Sequence, residues 1–208
     1  MNYVFAIIVA FVINFIMNYL QFNSVIILIV TFLIVLAGLL YPTYRTLLSE
    51  TKVEKVEKFL LKKRKMPTYA FIYALANNDE EEALAALNKL LKINKQTHKQ
   101  ALFKTMYHLY KKDLAAVKEE IEYIKPELYK NYYKTALLVE EGEFSEARQL
   151  ASQITKRWMQ HALFAEIEKE EDNCAEAARF AKLALAEAKG LNRYSLYKAY
   201  ERDFPEVI

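Results

Sequence analysis

The first 44 residues contain no Asp, Glu, Lys or Arg, whereas all 29 basic and 26 acidic residues come later in the chain. Two apolar runs, Tyr3–Leu20 and Val25–Tyr41, flank the short polar segment Gln21–Ser24. Each run would extend roughly 26 Å as a helix, close to the minimum that crosses a hydrocarbon core. The segment has neither the basic start nor the small-residue cleavage site of a signal peptide, which is the alternative for the first run. Residues 1–44 therefore predict a transmembrane helical hairpin.

Small and polar residues recur at helical spacing within both runs. They are Ala6, Ala10, Asn14 and Asn18 in the first run, and Ser24, Thr31 and Gly38 in the second. Small residues let two helices approach closely, and an asparagine amide in lipid seeks a hydrogen-bond partner. The pattern predicts hydrogen bonding between the two helices. It offers no ionisable group for an ion or substrate path.

Basic residues follow the second run closely. Within residues 45–65 they are Arg45, Lys52, Lys55, Lys58, Lys62, Lys63, Arg64 and Lys65, against three acidic residues. The positive-inside rule then predicts two spans with both termini in the cytoplasm, and we expect the plasma membrane. Pro42 is expected to end the second helix, and residues 45–65 to form an amphipathic basic stalk. Two roles are compatible with these basic residues. They can contact anionic lipid headgroups, or they can form a solvated helix face that only sets the topology.

Residues 66–208 show a helical pattern with a recurring unit. Ala83, Val117, Ala147 and Ala177 occupy equivalent places after four polar turns, at spacings of 34, 30 and 30 residues. Apolar residues occur fourteen and ten positions before each of them: Tyr69, Phe103, Tyr133 and Leu163, then Tyr73, Tyr107, Leu137 and Ile167. Each unit is predicted to be a helix, a turn and a second helix. A last helix near residues 192–202 is expected to cap the stack.

Residues 66–190 resemble the tetratricopeptide repeat (TPR) family. The third unit carries Gly142, Phe144 and Ala147 at the turn and small-residue positions of that family, and the fourth carries Ala177, Ala181 and Ala184. The resemblance implies an all-α fold, with an α-solenoid of TPR-like hairpins after the membrane hairpin. It also implies a protein-binding scaffold whose concave face is formed by the first helix of each unit.

No residue pattern indicates catalysis, a metal or a cofactor. His98, His108 and His161 lack metal-ligand spacing, and Cys174 is a lone cysteine. The carboxylates of Glu80–Glu82 begin a helix, where they complement its dipole. A net charge of +3 argues against a nucleic-acid binder. We therefore expect a non-enzymatic protein.

The resemblance also implies a binding groove. By position it places Phe71, Thr105, His108, Asn131, Thr135 and His161 toward the groove, flanked by Lys104, Lys130 and Lys134. The three lysines favour an acidic partner segment, although a solvated basic face is the simpler interpretation. We expect a membrane-anchored cytoplasmic adaptor or scaffold that binds a protein or peptide. The alternative is a non-catalytic membrane-complex module whose repeats serve self-association.

Overall fold

The computed structural model describes residues 3–208, with side chains described from Ile7 onward. Across these residues the fold is all-α, as predicted, with twelve helices and no strand. The helices are α1 (Tyr3–Tyr19), α2 (Ser24–Leu48), α3 (Val53–Lys62), α4 (Pro67–Ala76), α5 (Glu80–Ile93), α6 (Thr97–Tyr110), α7 (Leu114–Ile121), α8 (Glu127–Glu140), α9 (Phe144–Ser152), α10 (Arg157–Glu170), α11 (Cys174–Glu187) and α12 (Gly190–Asp203). They form two compact units, which divide between Glu50 and Thr51.

The first unit is the pair α1 and α2, which contact each other. Asn14 Nδ2 donates a hydrogen bond to Thr31 Oγ1 at 3.2 Å, which confirms the predicted bonding between the helices for this residue. Asn18 Nδ2 instead donates to Asn14 within α1. Ala10 and Gly38 are buried, as expected for small residues at a close helix contact. The side chain of Ala6 lies outside the described ones.

The surface of the first unit is strongly apolar. Among the described helices, only α2 is both long and apolar enough to cross a membrane, and the apolar part of α1, Ile7–Tyr19, is shorter. Phe11, Phe15 and Phe32 are each more than 60% exposed. An apolar surface of this kind marks a membrane or protein contact.

Pro42 does not end the second helix, so that prediction was wrong. α2 continues through Pro42 to Leu48, which also places the expected boundary at residue 44 inside a helix. A proline removes one backbone donor and can kink a helix without ending it, where neighbouring groups satisfy the freed carbonyl. Beyond it, the Thr46 hydroxyl donates to the Pro42 carbonyl at 2.9 Å.

The predicted stalk is not a separate element. The end of α2 occupies its first residues, and α3 belongs to the second unit. Val53, Val56 and Leu60 on α3 are buried in one cluster with Ala76 and Tyr194. The apolar stripe of an amphipathic helix must be covered, and here α4 and α12 cover it.

Helices α4 to α11 form four sequential pairs joined by the same kind of turn. Asn78, Lys112, Gly142 and Asp172 end the first helix of each pair with positive φ angles of 56°, 54°, 78° and 61°. In each turn, the backbone amide of the residue that follows donates a hydrogen bond to the carbonyl five residues earlier in the first helix. From the Asp79 amide to the Ala74 carbonyl the distance is 2.9 Å. This is the Schellman helix ending. The predicted positions of all four turns are confirmed.

Ala83, Val117, Ala147 and Ala177 have no exposed surface. Each lies on the second helix of its pair, just after the turn. A small side chain at this point lets the two helices approach closely. The apolar residues fourteen and ten positions earlier are buried or half-buried, so the predicted core register is confirmed.

Helix α12 was expected from the sequence to cap one end of the second unit, but it does more than that. It contacts α11 and also α3 and α4, which come more than 110 residues earlier. Tyr194 and Tyr200 are both buried but belong to different clusters. Six residues apart, they point about 120° away from each other around the helix. Because both apolar sides of α12 must be covered, α12 packs against α3 and α4 at the start of the second unit and against α11 at its end.

Candidate partner-binding site

A pocket of about 260 Å³ opens among α4, α6, α8 and α12. Its walls are Ile72, Leu75, Ala76, Met106, Leu109, Tyr110, Tyr132, Tyr133, Ser195, Ala199 and Arg202. Small-molecule pockets usually enclose roughly 300–1,000 Å³. This one suits one or two side chains better than a cofactor.

Helices α4 and α6 present matching residues to the pocket. Ile72 and Met106 are 34 residues apart, as are Leu75 and Leu109. Neither pair belongs to the fully buried residues of the core. Equivalent positions on α4 and α6 therefore face the pocket, and their side chains are aliphatic.

Tyrosines supply the wall from α8. The rings of Tyr132 and Tyr133 meet edge to face, with centroids 5.3 Å apart. Burial raises the pKa of Tyr132 to about 12 and also raises the pKa of Tyr133. Both phenols therefore stay uncharged even in mild alkali, and each can donate or accept a hydrogen bond.

Arg202 is the charged residue of the pocket wall. Its Nη1 donates to the Ala76 carbonyl, at the C-terminal end of α4, at 2.9 Å. Arg202 forms no ion pair with any acid in the described part of the chain. Because a guanidinium has five donors, Arg202 retains several for a ligand.

Acidic groups near the pocket are directed at a lysine. Lys169 Nζ lies 2.6 Å from Glu166 and 3.7 Å from Asp203. Burial raises the pKa of Glu166, although Lys169 opposes the shift. On α12, the Tyr200 hydroxyl is buried and has no hydrogen-bond partner among residues 7–208. These acids therefore contact Lys169, whereas Arg202 has no ion pair in the described part of the chain.

Three residues assigned to the groove from the sequence are instead fully buried. Phe71, Thr105 and Thr135 have no exposed surface, and neither does Ala165, the equivalent residue of the fourth pair. Phe71 packs edge to face on Phe103 with ring centroids 5.7 Å apart. All four stand twelve residues before the small residue of their pair. That position faces the neighbouring helices, so the assignment was wrong for these residues.

The other predicted groove residues are half-buried and outside the pocket wall. His108 Nδ1 lies 3.5 Å from Asp113, and His161 Nδ1 lies 3.1 Å from Glu187. The Asn131 carbonyl accepts the Thr135 hydroxyl at 2.8 Å. The contacts of His108 and Asn131 stay within five residues, and that of His161 joins α10 to α11.

The predicted lysine patch is largely neutralised by α7 and its C-terminal turn. Lys104 lies 2.7 Å from Glu120, and Lys130 lies 2.7 Å from Glu122. A hydrogen bond from Lys130 lowers the pKa of Glu122, and Lys134 adds to the effect. Lys134 itself is exposed. The chain therefore supplies its own acidic partners for two of these three lysines.

The basic residues between positions 45 and 65 fall into different environments. Arg45 lies in the last turn of α2. Arg64 pairs with Glu82 and stands 4.8 Å from the centre of the Tyr73 ring. The remaining basic side chains are exposed: Lys52, Lys55, Lys58, Lys62, Lys63 and Lys65.

No protein-family model matches this chain. Comparison with curated proteins and with solved structures likewise gives no significant match. In the part of the chain that the structure describes, no three His, Cys, Asp or Glu residues are grouped as a metal site would require. Inference about function therefore rests on the fold and the pocket.

Sequence reasoning missed the pocket residues. Ile72, Met106, Leu75 and Leu109 recur at a spacing of 34 residues, which was a usable signal. They look like further core residues because they are apolar. Arg202 carried no signal, because nothing in the sequence places α12 beside α4.

Proposed function

We propose that this protein is a membrane-anchored adaptor whose second unit binds a protein or peptide partner. In this proposal α1 and α2 form a two-span anchor, with both termini in the cytoplasm of a plasma membrane. The apolar surface of α2 and the hydrogen bond between Asn14 and Thr31 support a hairpin in lipid. The uncharged turn and the basic residues after α2 support the orientation.

The proposed architecture of the second unit is a short TPR-like solenoid closed by α12. Four turns of one kind and four fully buried small residues at equivalent positions support the repeat. The contacts of α12 with both α3 and α11 support the closure. In such a solenoid, the first helices of the pairs form the inner wall where a partner binds.

One observation carries the binding proposal: the pocket combines aliphatic and tyrosine walls with the cation Arg202, which has no acidic partner among the described residues. Such a surface fits a partner segment with an apolar side chain beside an acidic residue. The acidic preference rests on Arg202, since Lys104 and Lys130 already have acidic partners. The pocket wall holds tyrosines but no acid or nucleophile with a general base beside it, so binding rather than catalysis is proposed.

Site-specific photo-crosslinking in cells tests this function. A photoreactive residue replaces Met106 in the pocket or, as the matched control, Leu84, which is 44% exposed on α5. We expect one discrete adduct from position 106 and none from position 84. Arg202→Gln should weaken that adduct, whereas Lys89→Gln on the exposed face of α5 should not.

The mass of the adduct separates the alternatives. A different protein supports an adaptor, whereas an adduct of two copies of this chain supports self-association. Equal labelling from both positions would refute the pocket as the binding site. Retention in the membrane pellet at alkaline pH checks the anchor, and release into the supernatant would refute it.

A further inference from the structure

The exposed side of α3 and the turn after it carry apolar and basic residues together. Lys58, Leu61 and Lys62 lie on one side of α3, opposite the buried Val56 and Leu60. Leu61 is 45% exposed, and Met66 in the following turn is 50% exposed. Since α4 and α12 already cover the other side of α3, this side is left to solvent.

Charge on this surface is strongly one-sided. Lys58, Lys62, Lys63 and Lys65 are exposed, and no acid in the described residues pairs with them. Of the two acids on α3, Glu57 turns toward Lys198 and Tyr194 of α12, at 3.9 and 3.5 Å. Glu54 is exposed and is the only one left to offset the lysines.

Only a short segment of chain joins α2 to α3. Four residues, 49–52, separate α2 from α3. Five residue steps cover at most roughly 18 Å. If α2 spans a membrane, α3 therefore begins within about two Debye lengths of the lipid surface at physiological salt.

We propose that Lys58, Leu61, Lys62, Lys63, Lys65 and Met66 form a docking surface for the anionic headgroups of the membrane that holds α1 and α2. The inference rests on the proposed membrane anchor. Lysines attract anionic lipid, and the exposed leucine and methionine insert their side chains at the interface. Arg64 does not take part, because Glu82, Asp79 and the Tyr73 ring hold its guanidinium.

A polarity-sensitive fluorophore on the full chain tests the docking surface. Leu61→Cys is labelled in a Cys174→Ser background, with Leu84→Cys as the control position of nearly equal exposure. Each protein is reconstituted into vesicles of phosphatidylcholine, with or without phosphatidylserine. We expect a blue-shifted emission from position 61 only with phosphatidylserine, and its loss in high salt. The fluorophore at position 84 should emit as it does in water with both lipid compositions.

Charge variants complete the test. Lys58→Gln with Lys62→Gln should lower the docking equilibrium constant about 30-fold, since each basic residue near an anionic surface contributes about 1 kcal/mol. Lys89→Gln with Lys92→Gln, exposed on α5, should leave it unchanged. Equal emission in both lipids, or no effect of the first pair, overturns the proposal and leaves an acidic protein or solvent as the neighbour. Flotation with the vesicles at alkaline pH reports the anchor separately.

Discussion

The Asn77 amide at the end of α4 donates a hydrogen bond to the Tyr194 hydroxyl on α12 at 2.8 Å. The two residues are 117 positions apart in the chain, and Tyr194 is fully buried. This bond, with those from Arg193 to Thr51 and from Arg202 to Ala76, fastens the last helix to the first helices of the second unit.

Tyr194→Phe should loosen α12 without unfolding the protein. The change removes one hydrogen bond from the exposed Asn77 amide, which keeps its bond to the Tyr73 carbonyl, so the cost is about 0.5–1.5 kcal/mol. Hydrogen exchange should become faster in α12 and α3 and stay unchanged in α8. Tyr123→Phe, at a residue 56% exposed, serves as the control. Uniformly faster exchange in all helices would contradict a local fastening role.

A soluble fragment should require α3. Residues 51–208 retain Val53, Val56 and Leu60 in their cluster, whereas residues 66–208 lose all three. Losing their burial removes roughly 5 kcal/mol, a large part of the stability of a domain this size. Circular dichroism in urea should show a cooperative transition for the longer fragment and a much earlier one for the shorter. Similar midpoints would show that α3 is dispensable.

Ala177→Trp should destabilise the fourth helix pair. Ala177 has no exposed surface and lies where α10 and α11 approach, so a large ring costs about 1–3 kcal/mol or more. Ala175→Trp, on the exposed side of the same helix, should change the melting temperature little. If both variants melt like the parent protein, the small-residue register is wrong.

The turns at Gly142 and Lys112 should respond oppositely to substitution. Gly142 has a φ of +78° and open space where a Cβ would stand, so Gly142→Ala should cost about 1 kcal/mol through backbone strain alone. Lys112 has a φ of 54°, and Lys112→Gly should relieve similar strain. The lost surface ion pair with Glu140 offsets little of this gain. Denaturant titrations that shift both variants the same way would contradict the prediction.

Tyr132 should weaken the fold in alkali. Burial raises its pKa to about 12, from an ordinary value of 10.0, and Glu166 adds to the shift. The unfolded chain therefore loses this proton first, so stability is complete below pH 10 and falls as pH rises toward 12. The slope is about 1.4 kcal/mol per pH unit for one group. Urea midpoints of Tyr132→Phe should fall less steeply than those of Tyr123→Phe. Parallel slopes would show that Tyr132 ionises freely in the fold.

Local patterns in the sequence determined much of this protein. The uncharged start predicts the apolar pair α1 and α2, and the asparagines of the first run predict a hydrogen bond between the two helices. The positions of Ala147 and Ala177 predict the turns and the core register. These features depend on neighbours three to thirty residues away, so helical periodicity and turn chemistry are enough to reveal them.

Only the tertiary structure decided which surface is left for binding. Thr135 and Lys104 look available in the sequence, but one is buried and the other has an acidic partner on α7. Arg202 reaches the pocket because α12 returns to α4. This packing arises because α12 has two apolar sides, which are buried against helices at opposite ends of the second unit. Pairings over more than 100 residues leave no periodic trace in the sequence, so the pocket and its cation come from the folded chain alone.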